Sequence, residues 1–552
     1  MGVLPLSGQS MWLIDRPSIV DHSLCTIAVI GATREDACMN MHMNEMSGEQ
    51  GASWAKAGTQ PRVAIIGAGM SGIAAVVKLR KAGYTDLTVY EKTDKVGGTW
   101  RENQYPGLSC DVPSRWYSFS FALNPDWTHR FSYGPEIQAY MEKTAKDFGV
   151  TDIVNFNTPV TDLTYEAPHW RLTTGAGDVE QYDIVISATG VLHNPVLPKI
   201  EGLDSFEGDM FHTARWDHSV PLEGRKVGII GTGSTAAQII GAITSKVGTM
   251  NVFQRTPQWM IPLPQREYLG ITKWLMRTFP ALQKITYNFY FKTMVKHFGQ
   301  ATVGDQKELA KIQEACSKHL EEAVKDPGLR AKLTPDYQAA CKRLIFCSDF
   351  YPAITSENAN LITEGIERIV PEGIKTVDGK THELDVLVLA TGFDATSFIL
   401  PTKVTGENGR DLGKAWDGSP RAHRAVSMPG FPNFWMLEGP TGPVGNLSLI
   451  TITEHQVDYV ISMLNKMRDE GLEGIAPKQS AFDTYNAEML ARVPTTVWAS
   501  GGCDSWYFDK SGVPNLYPFS PDRYLNDMHD PDFSEYRLIS DSKESNEMQA
   551  AE

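Results

Sequence analysis

The stretch that most constrains this chain is a short apolar run followed at once by a glycine-rich turn. Arg62–Ile66 has the composition of a buried parallel strand, and Gly67-Ala68-Gly69-Met70-Ser71-Gly72 follows it directly. Helix-forming residues with helical apolar spacing continue to Ala82, and Leu87–Tyr90 predicts a second strand. This order of strand, glycine turn, helix and strand predicts a β–α–β unit that binds a dinucleotide.

The three glycines of this turn have separate roles in such a unit. Gly67 permits the tight turn, Gly69 lets the backbone approach a pyrophosphate, and Gly72 lets the helix pack close to the strand. The phosphates lie at the positive N-terminus of the helix. Glu91 ends the second strand 24 residues after Gly67, where a carboxylate accepts hydrogen bonds from a ribose diol and repels a 2′-phosphate. The first site therefore predicts FAD or NAD and not NADP.

The same pattern returns later in the chain. Lys226–Ile230 predicts a strand, and Gly231-Thr232-Gly233-Ser234-Thr235-Ala236 predicts a second phosphate-binding turn with alanine in the third glycine position. Arg255 stands 24 residues after Gly231, where a guanidinium can pair with a 2′-phosphate and the Thr256 hydroxyl can add a hydrogen bond. The alternative is an ordinary surface arginine, but the matched register favours an NADP site. An NADPH donor beside an FAD acceptor predicts at least the reductive half of a flavoenzyme reaction.

Composition excludes several other classes of protein. The net charge of −15 provides no basic field for a nucleic acid. Seven cysteines without a C-x-x-C pair predict reduced thiols and a cytoplasmic protein, and no apolar run is long enough for a membrane span. The run Met39–Met43 offers soft-metal ligands, but nothing nearby completes a ligand set. We therefore predict a flexible N-terminal extension and no metal site.

A second pair of glycines follows Glu91 in Gly97-Gly98-Thr99-Trp100, and it permits close approach of the backbone to a ligand. Flavin-dependent disulfide reductases carry a redox cysteine pair at this point of the chain. Here the chain has Trp100 and a single Cys110, which disfavours dithiol chemistry. The aromatic segment Arg115–Phe131 is interpreted as core.

Residues 265–340 predict a long helical insertion between the repeated units. Its first part, residues 271–298, combines aromatic and basic side chains and contains no Asp or Glu. Such a stretch either packs its apolar face on its own protein or lies on a membrane surface. Packing within the protein is the more ordinary arrangement, and we take it as the expectation.

A further motif lies between the two nucleotide-binding units. Residues 206–217 have the form F-x-G-x-x-x-H-x-x-x-W-D, whose defined positions are Phe206, Gly208, His212, Trp216 and Asp217. This motif resembles the fingerprint of type I Baeyer–Villiger monooxygenases, whereas the related N- and S-oxygenating flavin monooxygenases usually end it in an aromatic residue and lysine. G-G-T-W-x4-Y-P-G-x3-D at residues 97–111 resembles the same family's second motif. The resemblance extends over roughly residues 60–540.

The resemblance implies a chemistry. In this family NADPH reduces FAD, O2 adds to the reduced flavin, and the peroxyflavin anion attacks a ketone to give an ester or lactone. Such an anion requires a fixed cation and a site poor in water. The family's arginine matches Arg343, in a Lys-Arg pair ahead of Phe350-Tyr351, and the aspartate that holds it matches Asp111. His212 matches a hinge residue on the linker between domains. We expect further cofactor contacts from Gly98, Thr99, Trp100, Tyr117, Thr391 and Gly392.

The predicted fold is α/β, with two Rossmann-like dinucleotide-binding domains, one for FAD and one for NADP, and a helical insertion. The expected segments are an extension (1–60), FAD-binding parts (61–200 and 380–540), NADP-binding parts (201–264 and 341–379, the latter with the return linker), the insertion (265–340) and a disordered acidic tail (541–552). The substrate pocket is expected from the insertion, residues 439–446 and the aromatic C-terminal part.

Three alternatives to ketone oxygenation stay open at this point. The same flavin chemistry could oxygenate an amine or sulfide, or the protein could be a reductase or oxidase that passes electrons on or releases peroxide. A regulatory flavin-binding protein without turnover is a different class, and the complete second site with Arg255 argues against it, because a scaffold does not need a hydride donor.

Overall fold

The computed structural model describes residues 60–445 and 447–540. The expectations for residues 1–59, Asn446 and residues 541–552 lie outside the described residues.

The described chain combines strands and helices, with long runs of consecutive strands at 154–230 and 359–405. The strands are β1 Val63–Ile66, β2 Leu87–Tyr90, β3 Val154–Asn155, β4 Val160–Glu166, β5 His169–Thr174, β6 Val179–Tyr182, β7 Ile184–Ser187, β8 Asp209–His212, β9 Lys226–Ile230, β10 Thr249–Phe253, β11 Met260–Ile261, β12 Ile345–Phe346, β13 Ala359–Ile362, β14 Ile366–Val370, β15 Gly373–Thr376, β16 Thr381–Glu383, β17 Val386–Leu389, β18 Lys403–Thr405, β19 Phe434–Met436, β20 Gly474–Pro477 and β21 Tyr536–Ile539. The α-helices are α1 Met70–Lys81, α2 Thr99–Glu102, α3 Gly134–Asp147, α4 Ser234–Ile243, α5 Gly270–Thr278, α6 Pro280–Met294, α7 Gln300–Thr302, α8 Gln306–Ala323, α9 Pro327–Leu333, α10 Phe350–Ile354, α11 Leu412–Trp416, α12 Leu449–Glu470, α13 Gln479–Arg492, α14 Val497–Ser500 and α15 Pro521–His529.

The first five-stranded sheet is built on β1. Its order is β19-β7-β1-β2-β3, and every neighbouring pair is parallel. Successive side chains of β1 point to opposite faces, and all four are buried. Val63 and Ile65 pack with residues of α1 and α12, whereas Ala64 and Ile66 pack toward the four-stranded sheet β18-β4-β5-β6. The continuous apolar run in the sequence therefore reflects burial on both faces.

The second five-stranded sheet repeats this plan. Its order is β13-β10-β9-β17-β8, again with all neighbours parallel. Apolar side chains of β9 pack against α4 and α10, so helices cover this sheet as well. Two parallel sheets, each with a glycine turn and a helix after its central strand, confirm the predicted α/β class with two dinucleotide-binding folds.

One strand lies in a different sheet from the one that the expected segments imply. Val386–Leu389 was expected in the second FAD-binding part, but it pairs with β9 and β8 in the second sheet. In both sheets an Ala-Thr-Gly ending lies against the glycine turn of the neighbouring strand. A Cβ on Gly67 would lie 2.6 Å from the Ala188 carbonyl oxygen, and one on Gly231 would lie 2.5 Å from that of Ala390. An Ala-Thr-Gly sequence fits any strand that ends beside a glycine turn. It therefore does not indicate to which of the two sheets a strand belongs.

Among the long helices outside the insertion are α3 and α12, which begin at Gly134 and Leu449. The insertion contains α5 to α9, with a π-helical turn at Val295–Gly299. Trp116, Phe119 and Trp127 are buried, which confirms the core interpretation of this aromatic segment. None of the described helices has the length and apolar composition of a membrane span.

Candidate active site

The first glycine turn brings two backbone segments into close contact. Gly67 has φ +106°, and a Cβ on Gly72 would lie 2.0 Å from the Gly67 carbonyl oxygen. A Cβ on Gly98 would lie 3.0 Å from the Gly69 Cα, so the second glycine pair faces the first turn. Gly69 caps α1 without a side-chain hydrogen bond, which leaves the first N–H groups of the helix for an anionic ligand. These positions fit the backbone cradle of a bound pyrophosphate.

Glu91 is fixed against the same turn at the end of β2. Its carboxylate accepts hydrogen bonds from the Ala68 backbone N–H at 2.8 Å, the Thr93 N–H at 2.9 Å and the Thr93 hydroxyl at 2.7 Å. The side chain is buried, so its orientation does not depend on a ligand. A carboxylate held in this way retains acceptor capacity for ribose hydroxyls.

Trp100 and Tyr117 form the next part of this surface. The Trp100 indole Nε1 donates a hydrogen bond to the Tyr117 hydroxyl at 3.0 Å, and the rings meet edge to face at 5.7 Å. Burial raises the pKa of Tyr117 well above its ordinary value, so this hydroxyl stays neutral. The contact brings together two residues that the sequence separates by 17 positions and that we expect at the cofactor.

The second glycine turn leaves space that the first does not. A Cβ on Gly233 would meet no atom within 4 Å, so the absence of a side chain there opens the backbone toward a ligand. The Thr232 hydroxyl donates a hydrogen bond to the Thr256 carbonyl oxygen at 3.0 Å and ties the turn to the segment after β10. Arg255 lies exposed on this segment. Ser234 and Thr235 begin α4.

Lys342 is a residue of this site that the sequence reasoning missed. Burial lowers the pKa of its ammonium group, and the nearby positive charge of Arg255 lowers it further. The ammonium also lies 5.1 Å from the centre of the Tyr337 ring. Two cations whose charges act on each other suit an anion with more than one charge, such as a 2′-phosphate. The Lys342-Arg343 pair in the sequence could have indicated this lysine, but only Arg343 was predicted as a site residue.

Arg343 is held by two residues from distant parts of the chain. Its Nη2 donates a hydrogen bond to Asp111 Oδ2 at 2.6 Å, and the Tyr507 hydroxyl lies near enough to interact with the guanidinium electrostatically. The Asp111 charge is the main factor that raises the pKa of Arg343 above its ordinary value. The Arg343 side chain is 33% exposed and that of Asp111 is 23% exposed. The arrangement is a permanently charged donor, fixed on one side and accessible on the other.

The loop that carries Asp111 is attached to the second domain. The Tyr105 hydroxyl donates to Gln238 Oε1 at 2.9 Å, and Gln238 Nε2 donates to the Ser109 carbonyl oxygen at 3.0 Å. Gly107 has φ +83°, and a Cβ there would lie 2.6 Å from the Gln238 carbonyl oxygen. Because Gln238 lies in α4, Asp111 is positioned relative to both glycine turns.

A disulfide joins Cys341 to Cys503, with their Cα atoms 6.0 Å apart. The expectation that all cysteines are reduced thiols is therefore wrong for this pair. The two residues are 162 positions apart, so no local spacing indicates their pairing. The bond connects the segment of Arg343 to the segment of Tyr507, directly beside the site. Cys110, Cys316 and Cys347 are free and buried.

The family-like motif at 206–217 forms tight contacts at the edge of the second sheet. A Cβ on Gly208 would lie 2.5 Å from the Asp385 carbonyl oxygen and 2.6 Å from the Phe206 ring, so the third position requires glycine. The His212 ring meets Phe393 edge to face at 6.0 Å, and burial lowers the pKa of His212. A neutral, packed imidazole agrees with a linker role for His212 and not with acid–base catalysis.

The end of the motif and the segment after β17 make contacts within the protein itself. The Trp216 ring packs edge to face on Phe211 at 4.9 Å, and Asp217 accepts hydrogen bonds from the N–H and hydroxyl of Ser219. The Thr391 hydroxyl donates to the Val196 carbonyl oxygen, and the Gly392 carbonyl oxygen accepts from the Val196 N–H at 3.0 Å. The segment that leaves the first sheet after β7 and the segment that follows β17 therefore run side by side at Val196 and Gly392.

A small cavity adjoins the Arg343 group. It encloses about 20 Å³ and includes Gly439, Gly442, Val444, Trp506 and Tyr507 in its lining. This brings together two of the three regions expected to form the substrate pocket, and no residue of the insertion lines it. A larger cavity of about 420 Å³ lies beside Trp259 between α8 and α9, but it contains none of the residues assembled around Arg343. Of the two cavities, only the smaller one therefore adjoins the residues around Arg343.

Comparison with known proteins agrees with this geometry. Residues 60–286 match the family model described as "Flavin-binding monooxygenase-like". An uncharacterized monooxygenase of Mycobacterium tuberculosis is 43% identical over 467 residues, which is 85% of this chain and 94% of that protein. A Baeyer–Villiger monooxygenase of Streptomyces coelicolor is 38% identical over 482 residues, 87% of this chain and 92% of that protein. A crystal structure of OTEMO in complex with FAD and NADP superimposes with a TM-score of 0.78 at 26% identity, covering 87% of this chain and 100% of that chain.

The two parallel sheets with their glycine turns agree with the matched family model and with the 43% identity to a monooxygenase. The chain therefore belongs to the flavin-binding monooxygenases. Within it, the chain belongs to the Baeyer–Villiger monooxygenases, as the motif ending in Trp216-Asp217 indicates. The resemblance stated from the sequence is confirmed.

Proposed function

We propose that this protein is an FAD-containing Baeyer–Villiger monooxygenase that uses NADPH and O2 to convert ketones to esters or lactones. The observation that carries the proposal is the Asp111–Arg343 ion pair. It places a fixed cation beside a small cavity, with Asp111 on a loop that is attached to the helix of the second glycine turn.

The residues present fit both cofactors. The Gly69 and Gly98 approach and the fixed Glu91 carboxylate fit FAD, whereas the open backbone at Gly233 and the adjacent cations fit NADPH. When bound, FAD reduced by NADPH supplies the chemistry that activates O2 for insertion.

Arg343 stabilises negative charge on oxygen during the reaction. At an effective dielectric constant near 20, a unit charge about 4 Å from the guanidinium gains at most about 4 kcal/mol, and even half of this value changes the rate of a step by more than tenfold. Asp111 orients the guanidinium, and the Tyr507 hydroxyl lies close to it. Tyr507 is only 4% exposed, so this part of the site is shielded from water.

Replacing Arg343 by alanine tests the proposal. We expect anaerobic NADPH to bleach the flavin of Arg343→Ala as it does that of the wild type, because the nucleotide sites are untouched. In air, the variant should consume NADPH, release hydrogen peroxide and form no ester from linear, cyclic or aryl ketones. Ester formation at the wild-type rate would remove Arg343 from the mechanism. Arg523→Ala, which breaks an exposed pair with Glu488, is the matched control.

The wild-type protein separates this function from its rivals. Oxygenation of amines or sulfides but not of ketones would favour the heteroatom-oxygenating branch. Stoichiometric peroxide with every substrate would indicate an oxidase. We also propose a cytoplasmic location, because NADPH is an intracellular reductant, and the Cys341–Cys503 disulfide is the observation that argues in the other direction.

A further inference from the structure

The first two helices of the insertion present an apolar surface to solvent. Six large apolar side chains in α5, in α6 and at the residues that precede these helices are between 49% and 64% exposed. They are Leu269, Ile271, Trp274, Phe279, Ile285 and Phe289. We call this set the outer face. Scattered exposed hydrophobic residues are ordinary, but six within 21 residues of chain are an unusual concentration on two consecutive helices.

The outer face is exposed although the helix that carries it is firmly packed. Tyr287, Tyr290, Phe291 and Met294 on the opposite side of α6 pack against the core of the first sheet. The Phe291 ring meets the buried Trp116 ring edge to face at 6.0 Å. Ile285 and Phe289 are one helical turn apart and lie on the solvent side. The expectation that this stretch packs within the protein therefore holds for one side of α6 only.

The charge around the outer face differs from that of the whole chain. Residues 269–299 contain no Asp or Glu, whereas they contain four lysines and an arginine: Lys273, Arg277, Lys284, Lys292 and Lys296. The protein as a whole has a net charge of −15. Acids from neighbouring segments contact two side chains of this stretch, since Asp126 accepts a hydrogen bond from Arg277 and Glu308 lies 3.0 Å from His297 Nδ1. Lys284 and Lys296 lie exposed on the same helical stretch.

We propose that the outer face docks this protein on an anionic lipid membrane surface. An amphipathic helix with lysines beside Trp and Phe has the composition that lies in the lipid interface, where rings enter the headgroup boundary and cations meet lipid phosphates. A second copy of the chain is a poorer occupant. A two-fold contact through this face would bring the two sets of lysines together. The proposal does not depend on the reaction catalysed.

Vesicle cosedimentation of the FAD-loaded full-length protein tests the proposal. We expect binding to vesicles of phosphatidylglycerol and phosphatidylcholine, little binding to pure phosphatidylcholine, and weaker binding as salt screens the lysines. Brominated lipids in the same vesicles should quench part of the tryptophan fluorescence, and Trp274→Phe should remove that part.

Two double variants separate the apolar and the electrostatic contributions. Ile285→Ser with Phe289→Ser should weaken vesicle binding by at least about tenfold, because two side chains lose their apolar burial in lipid. Lys284→Gln with Lys296→Gln should weaken it by about fivefold per cation. Val179→Ser with Val377→Ser, two exposed valines outside the insertion, and Lys246→Gln are the matched controls and should bind as the wild type does. All these positions are exposed, so unchanged circular dichroism and melting temperature are expected for each variant.

Three results would overturn the proposal. The first is a wild-type protein that binds neither vesicle composition. The second is equal binding to neutral and anionic vesicles, or outer-face variants that bind as well as the controls. The third is a wild-type dimer in sedimentation velocity that becomes monomeric in Ile285→Ser with Phe289→Ser while vesicle binding is absent, which would assign the face to a second copy.

Discussion

Replacing Asp111 by asparagine should separate NADPH consumption from ester formation. Asparagine has almost the shape of aspartate, so the loop at 105–111 keeps its contacts with Gln238. The change removes the negative charge that accepts a hydrogen bond from Arg343 Nη2 at 2.6 Å. The guanidinium remains charged, because arginine does not lose its proton in proteins, but it is held only by Tyr507 and a neutral amide.

The size of the effect follows from the exposure of the pair. A charge-assisted hydrogen bond contributes about 1.5–3 kcal/mol. The full Coulomb value of about 4 kcal/mol at 4 Å is too large here, because solvent reaches a third of the Arg343 side chain and a quarter of that of Asp111. We therefore expect a loss of about 2 kcal/mol in the step that depends on Arg343, which is roughly a 30-fold slower ester formation.

The assay measures NADPH consumed, ester formed and hydrogen peroxide released in one reaction. Asp111→Asn should reduce the flavin at the wild-type rate and convert most of the NADPH consumed into peroxide. Glu488→Gln removes an acid from the exposed pair with Arg523 and should leave all three quantities unchanged. An unchanged ratio of ester to NADPH in Asp111→Asn would refute the positioning role of this carboxylate.

Three further predictions concern the cofactor site, the disulfide and one buried acid. Arg255→Ala should raise the KM for NADPH by roughly 30-fold and leave that for NADH nearly unchanged, because only NADPH has a 2′-phosphate; equal effects on both would contradict the assignment. Cys341→Ser with Cys503→Ser should lower the free energy of unfolding in urea by about 2–4 kcal/mol, and an unchanged midpoint would contradict a formed disulfide. Burial raises the pKa of Glu438 from 4.5 to about 7, so the folded state binds this proton more tightly than the unfolded chain does. The resulting stability is present below about pH 4.5 and is lost as the pH rises to about 7; denaturation of the wild type across this range should show that loss, and Glu438→Gln should reduce it.

The sequence was sufficient for the parts of the site that depend on local geometry. Gly67 and Gly231 are each followed by a helix and, 24 residues later, by the residue that we expect to select the nucleotide, because strand, turn and helix are consecutive in the chain. Arg343 and Asp111 are 232 positions apart, and only the family resemblance connected them before the structure placed them in contact.

The contributions of Tyr507 and Lys342 could not be predicted in the same way. Tyr507 reaches Arg343 through a loop that the Cys341–Cys503 bond holds in place, and no periodicity or spacing indicates such a contact. The sheet that contains β17 was equally undetermined, because an Ala-Thr-Gly ending serves any strand next to a glycine turn. Contacts between residues that are adjacent in the chain can be predicted from local geometry. The contacts of Tyr507, Lys342 and β17 depend instead on which surfaces the folded domains bring together.

The position of the Asp111–Arg343 pair has a consequence for damaged forms of the protein. Asp111 follows the first glycine turn, whereas Arg343 follows the insertion. The ion pair between them therefore forms only while the loop of Asp111 is correctly packed on the second domain. A substitution that disturbs only the contacts of the 105–111 loop with Gln238 would displace Asp111 while both sheets, and the nucleotides on them, keep their positions. Such a variant would spend reducing power to generate an oxidant, and cells would experience it as a toxic gain of function instead of a loss.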